Sequence, residues 1–340
     1  MFFRKRRYQV ICIGSSSKDI FLPTDEGTIL ETPNDLTSKR KVEFEIGGKY
    51  RVGDRYDAVG GVAANVAQAI AKLGVRVAIM SKIGDDEIGR WILSRFRFAG
   101  VNTELIDVDK GTESDLSAII VLKQDGERVI FHNRDANEQL VIDAKSLEGT
   151  EWIFVSSLNG DWEKKLTEVF DAAMKSAIPV AFNPGQHNLR ENPKLILEMA
   201  ARSDMLMLNK DEAIELIQKS DEPASPEQLD DEEFLIRTLA AAGAKTIALT
   251  DGERGAWGFT DGELVHCPAT KVERVIDTTG AGDAFAAVFF ASVAFFGKSV
   301  RDALRYGSVE GGSVVTRYGA SSGQLTLSEL EERVANLPPE

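Results

Sequence analysis

Val10-Ile-Cys-Ile13, followed at once by Gly14, is a short apolar run that stops at a turn residue, the pattern of a strand buried on both faces. The pattern returns at Val77-Ala-Ile-Met80, Trp152-Ile-Phe-Val155, Val180-Ala-Phe182, Met205-Leu-Met-Leu208 and Thr246-Ile-Ala-Leu249. Between these runs, apolar residues recur at helical spacing from Val62 to Leu73, Ile88 to Ala99, Trp162 to Ser176 and Glu232 to Ala242. Strand alternating with helix predicts an α/β fold, a three-layer α/β/α sandwich around a mostly parallel central sheet.

Two regions break this rhythm, about 24–59 and 103–133. In the second, Ser117 to Lys123 and Arg128 to Asn133 flank Gln124-Asp-Gly126 like the arms of a hairpin. A small sheet drawn from these regions cannot bury both faces alone, so it is expected to lean on the main body as a lid or to meet a partner chain. The expected organisation is one domain over 1–340 carrying this small β-sheet lid. Leu325 to Leu337 is expected to close the chain as a helix.

A formal charge of −14 argues against a nucleic-acid surface. The basic run Arg4-Lys5-Arg6-Arg7 reads as a solvated chain end, and the stretch Ser220 to Glu233 as an exposed acidic loop without chemistry. The longest apolar stretch, Ala284 to Phe296, is too short to span a bilayer and is expected as a buried helix. Cys12 and Cys267 lie in strand-like runs, which suits a reduced, cytoplasmic interior. His132, His187 and His266 lack metal-ligand spacing.

The chemistry concentrates in Asp277-Thr-Thr-Gly-Ala-Gly-Asp283, which runs directly into the apolar helix. Gly280 and Gly282 let an anion approach the main chain, and a helix start offers unpaired N–H groups and the positive end of a dipole. Asp283 in the first turn could accept a proton beside that anion hole; taken alone, it could equally be a capping Asp. Asn209 ends an apolar strand, where ligands of open α/β sheets gather, although it too could be a helix cap.

These motifs together resemble the ribokinase-like (PfkB) carbohydrate kinase family. Asp277-Thr-Thr-Gly-Ala-Gly-Asp-Ala-Phe285 is similar to its C-terminal signature, Gly60-Gly-Val-Ala-Ala-Asn65 to its N-terminal glycine pair and asparagine, Asn209-Lys-Asp-Glu212 to its N-x-x-E motif, and Thr250-Asp-Gly-Glu-Arg-Gly255 to its nucleotide loop. The likeness runs in order from about Gly14 to Gly319. It implies an ATP-dependent phosphotransferase acting on a sugar hydroxyl, with Asp283 as base and the backbone of Gly280, Ala281 and Gly282 as anion hole.

By the same resemblance, Thr250, Gly252, Gly255, Asn183, Asn209 and Gly307 serve ATP, and Asn209 and Glu212 organise Mg²⁺ through water. Asp19, Gly60, Gly61, Asn65 and Asn137 face the sugar, and Asp277, Thr279 and Gly319 form a site for a monovalent cation such as K⁺. A homodimer through the lid is expected.

Ser17 stands where ribokinases commonly have Asn, and Val62 where they have Lys, which counts against D-ribose itself. A nucleoside kinase would need apolar lid residues around a base, for which Phe44, Tyr50, Tyr56 and Phe131 are available, though lid core or a dimer interface would also use them. A non-catalytic relative is the other alternative, against which the intact Asp283 motif speaks. The Rossmann fingerprint is absent after the first strand, and Gly297-Lys298-Ser299 lacks the upstream glycine of a P-loop and reads as a helix end.

Overall fold

The computed structural model describes residues 7–32, 40–124, 126–219 and 224–337. Its large sheet runs, edge to edge, β15 (Glu263–Cys267), β14 (Ala256–Thr260), β13 (Thr246–Thr250), β12 (Met205–Asn209), β11 (Val180–Phe182), β10 (Trp152–Val155), β1 (Val10–Ile13), β6 (Val77–Gly84) and β7 (Ile106–Asp109). Pairing is parallel from β7 to β13, and β14 and β15 close the edge antiparallel. The six apolar runs of the sequence are the six adjacent strands from β6 to β13.

Alternation along each strand builds the layers. Ile11, Ile13, Ile153 and Val155 enter one core with the helices Trp162–Lys175, Pro193–Arg202, Lys210–Gln218 and Glu232–Ala241. Val10, Cys12 and Phe154 enter the opposite core with Val62–Lys72, Glu87–Phe98, Ala281–Ala294 and Val300–Val314. The apolar helix carries buried side chains on every side from Ala284 to Ser292 because the helices Val62–Lys72 and Val300–Val314 flank it above the sheet. Among the described residues, no helix is long and apolar enough to cross a membrane.

A second sheet has the order β5 (Tyr56–Gly60), β2 (Ser17–Thr24), β8 (Leu116–Leu122) and β9 (Arg128–His132), and a separate ribbon pairs β3 (Thr28–Glu31) with β4 (Arg40–Glu43). The hairpin around Gly126 is β8–β9, although Asp125 at its tip is outside the described residues. The expected boundaries need two changes. The small sheet begins at Ser17, because β2 pairs with both β5 and β8. The start of the 103–133 region goes to the large sheet, because β7 completes its edge against β6.

The closing helix is Leu327–Ala335, begun by a capping box between Thr326 and Glu329. Cys12 and Cys267 are buried in β1 and β15. Residues 4–6 of the basic run and 220–223 of the acidic stretch lie outside the described residues.

Candidate active site

The sheet reverses its winding at β1, since β6 lies on one side of it and β10 on the other. Ligands gather at such a switch point, beyond the strand carboxyl ends. A cavity of about 580 Å³ opens there, lined by Ser15 after β1 and by Ser157, Asn159 and Gly160 after β10. Ser17 and Asp19 of β2, Ser117 and Ile119 of β8, and Ile130 and His132 of β9 bring the small sheet over it. Val62 and Asn65 reach it from one helix start and Thr279 and Asp283 from another.

Backbone geometry explains why these helices begin where they do. Gly280 caps Ala281–Ala294 in the left-handed region, φ 77°, and a Cβ there would sit 2.1 Å from the Ala320 Cβ. A Cβ on Gly282 would meet nothing within 4 Å, so the first turn is open on that side. Gly61, at φ 96°, caps Val62–Lys72, where a Cβ would collide with the Ser15 carbonyl. Gly60 has a different reason from the ligand approach expected of it, because the Asp19 carboxylate occupies the place of its missing Cβ, 2.0 Å from where that atom would be.

Asp283 is held by a 2.7 Å hydrogen bond from Asn65 Nδ2. Burial pushes its carboxyl above the ordinary range; the Asn65 donor and the Arg128 guanidinium pull it down, and Asp19 adds to the rise. The Asn65 Oδ1 is buried without a hydrogen-bond partner, leaving an acceptor on the cavity wall. Asp19 accepts from Ser17 Oγ at 2.9 Å, and burial raises its carboxyl too.

Asn137 does not join this wall. Its amide is buried and bridges the backbone N–H and carbonyl of Ser16, and it also donates to Asp115. Its expected substrate contact is therefore replaced by a structural clamp beneath the cavity.

At the ends of β12 and β13 a second group assembles, with Asn209 and Thr250 in register. Asn209 accepts from the Glu212 N–H at 2.8 Å, while Glu212 accepts from the Asn209 N–H at 2.9 Å, a capping box that starts Lys210–Gln218. Burial pushes the Glu212 carboxyl up to about 7, and the nearby Asp283 carboxylate contributes to the rise. Asn209 and Glu212 offer oxygen donors of the kind taken by Mg²⁺, which uses few protein groups and keeps water and phosphate oxygens. Asn183 ties β11 to β12 by donating to the Met207 carbonyl at 2.9 Å.

Gly252 is exposed at φ 48°, and Gly255, at φ 97°, is buried where a Cβ would strike the Cys267 carbonyl. Gly307 is different, since a Cβ there would lie 2.8 Å from the Phe285 ring, so this glycine lets two helices approach. Asp277, fully buried, gathers the third expected group. Its Oδ1 accepts from the N–H and hydroxyl of Thr279 at 2.9 and 2.6 Å, and its Oδ2 from the Gly319 N–H at 3.0 Å.

These features match a known family. A profile described as pfkB family carbohydrate kinase fits residues 9–327. This chain belongs to that family. Fructokinase-2 of Zea mays is 30% identical over 294 residues, covering 82% of this chain and 85% of its own length. The ribokinase of Bacillus subtilis is 30% identical over 287 residues, covering 84% of this chain and 91% of its own. The structure of Arabidopsis thaliana ribokinase complexed with ribose and ATP superposes with a TM-score of 0.77 at 20% identity, covering 97% of this chain and 99% of its own. As a pfkB-family member the chain is an ATP-dependent carbohydrate kinase with the ribokinase fold.

Sequence reasoning missed several contacts around these motifs. Lys210 is buried and donates to the Asp230 and Glu232 carboxylates, each at 2.7 Å, with Asp251 of the nucleotide loop 3.6 Å away. Glu232 of the acidic stretch also pairs with Arg254 of that loop at 2.5 Å. Arg128 of β9 donates to Thr278 in the signature loop. His132 and His187, far apart in sequence, face one cavity. Phe44 packs on Tyr50 and Tyr56 stacks on Tyr318, while Phe131 is exposed; none of the four aromatics offered for a nucleobase lines the cavity.

Proposed function

We propose that the cavity binds a sugar or sugar derivative and that Asp283 removes the proton from its attacking hydroxyl. The hydroxyl oxygen bonds to the γ-phosphorus of ATP, the bond from that phosphorus to the β–γ bridging oxygen breaks, and ADP leaves with the electron pair. Backbone N–H groups of Gly280, Ala281 and Gly282 face the charge that develops on the transferred group. Asn65 and Asp19 hold neighbouring sugar hydroxyls. The observation that carries this reading is the position of Asp283, half-buried in the first turn of a helix, hydrogen-bonded to Asn65 and on the cavity wall.

Thr250, Gly252 and Gly255 contact the nucleotide phosphates in this reading, with Asn183 beside them and Gly307 acting through helix packing. Asn209 and Glu212 would hold Mg²⁺ through water, and the ion would neutralise phosphate charge. The Asp277–Thr279–Gly319 knot is where K⁺ would act, so activity is compared in K⁺ and Na⁺. Residues 1–340 form one kinase domain with the small sheet as lid. Ile46, Phe131, Ile130 and Tyr56 are exposed on or beside that sheet, which supports a homodimer through it, testable by sedimentation. Cys12 and Cys267, buried in strands of the large sheet, suit the cytoplasm.

The test is ADP release from Mg-ATP against pentoses, hexoses, sugar acids, sugar phosphates and nucleosides, with Asp283→Asn alongside. Stimulation by one class, lost in the variant, is expected. A variant that keeps a near-normal rate while an acceptor is turned over would remove Asp283 from its role.

A further inference from the structure

Arg134 follows β9 and lines the cavity, and its Nη1 is buried with no hydrogen-bond partner. Among the described residues, no carboxylate forms an ion pair with it. The two carboxylates that feel its charge are otherwise engaged. Asp115 is fully buried and accepts from the N–H groups of Ala136 and Asn137. Asp19 accepts from Ser17 and Ser117. A buried guanidinium N–H left unsatisfied is costly unless something completes it, and a planar anion is the best complement of the guanidinium fork.

The surroundings give this group an address. Asp283 is influenced by Asp19 and Arg128, whereas Asp19 is influenced by Arg134, and His132 by both Arg134 and His187. Arg134, His132 and His187 line the same cavity as Asp19 and Asp283, and burial, with Arg134 and His187 nearby, holds the His132 imidazole below its ordinary pKa. The other carboxylates on the wall, Glu138 and Glu191, are exposed, where water screens them.

We infer that the acceptor carries an anionic group, a carboxylate or a phosphate ester, which is bound by Arg134 beside His132 and His187 while the reacting hydroxyl lies at Asp283. This rests on the kinase reading of the cavity and deepens it to an acidic sugar. Arg134 would then set specificity. A neutral sugar would leave its Nη1 unsatisfied, so discrimination against neutral acceptors follows from the same cost.

The experiment uses matched pairs: D-gluconate and D-glucuronate against D-glucose for the carboxylate, and D-ribose 5-phosphate and D-fructose 6-phosphate against the free sugars for the phosphate. ADP release is measured for the wild type, Arg134→Gln and Arg134→Lys. The expected result is a higher kcat/KM for one charged set, reduced about 100-fold in Arg134→Gln with the KM for ATP unchanged, and partly recovered in Arg134→Lys. Preference of the wild type for the neutral members overturns the inference whether or not the variants fold. If no acceptor is turned over, the kinase reading fails separately. Calorimetric titration of the same pairs then decides the anion, since tighter binding of charged members upholds it and equal or absent binding refutes it.

Discussion

Asn65 and Asp283 lie 218 positions apart, yet Asn65 Nδ2 donates a 2.7 Å hydrogen bond to Asp283 Oδ2. Two helix starts are thereby joined across one cavity, each begun by a glycine in the left-handed region, at Gly61 and Gly280. An ionised carboxylate only accepts, so the amide turns its N–H₂ to Asp283 and leaves Oδ1 without a partner at the cavity wall.

Asn65→Ala should act on both ligand and base. Loss of the Oδ1 acceptor raises the KM for the sugar while the KM for ATP stays near wild type. Loss of the donor removes an interaction that favours ionised Asp283, so its pKa, already raised by burial, rises further. The acidic limb of the kcat/KM profile then moves to higher pH, and a pH–rate series in both proteins checks this. An unmoved limb would separate Asn65 from the base.

Gly280 and Gly282 should respond differently to alanine. At Gly280 the left-handed backbone costs about 1–2 kcal/mol for a residue with a Cβ, and contact with Ala320 adds to it, so Gly280→Ala should lower thermal stability as well as rate. Gly282→Ala finds open space and should fold within about 1 kcal/mol of wild type. Its methyl group would nevertheless crowd the anion, so kcat should fall by about 10²–10³ if these N–H groups stabilise the transferred phosphoryl. Melting curves and turnover on the same samples separate the two effects.

Lys210→Met removes the cation that Asp230 and Glu232 share and leaves Glu232, itself buried, with Arg254 alone. Breaking a buried pair from one side costs about 3–5 kcal/mol when the remaining charge is uncompensated, and less here because Arg254 stays with Glu232. Because Asp251 and Arg254 lie in the Thr250–Gly255 loop proposed to contact the nucleotide phosphates, the KM for ATP should rise with little change in the KM for the sugar. Urea titration and initial rates read the two consequences.

Glu310 should make stability fall with pH. It is buried beneath the loop that precedes the closing helix, where both carboxylate oxygens lie 3.2 Å from the Leu325 N–H. Burial pushes its carboxyl up to about 8, against the pull of that N–H, Lys72 and Arg333. The folded state then holds the proton more tightly than the unfolded chain, so the stabilisation is complete below the ordinary carboxylate pKa of about 4.3 and is lost as pH rises through about 8. Glu310→Gln should match wild type near pH 5 and exceed it above pH 8 in melting temperature.

What the sequence determined by itself was periodic or contiguous. Val10–Ile13 and the five later apolar runs became adjacent strands because a strand buried on both faces needs apolar residues at every position. Asp277 to Asp283 announced a turn, a helix start and a carboxylate in its first turn because glycines and the apolar run after them lie within one short segment. Family membership followed from four such segments in order.

Tertiary structure alone decided what depends on distance across the chain. Asn137 could be placed near the site by position, but only packing shows its amide committed to Ser16 and Asp115. Gly60 yields its space to Asp19 because β5 and β2 pair side by side, a register that neither strand states on its own. Lys210 and Glu232 meet because two helices pack, and Arg134, His132 and His187 share a cavity because β9 folds over the strand ends. Local composition records whether a residue suits a strand, a turn or a cap; which charges share a low-dielectric space is set by long-range packing, and that is where pKa values and specificity arise.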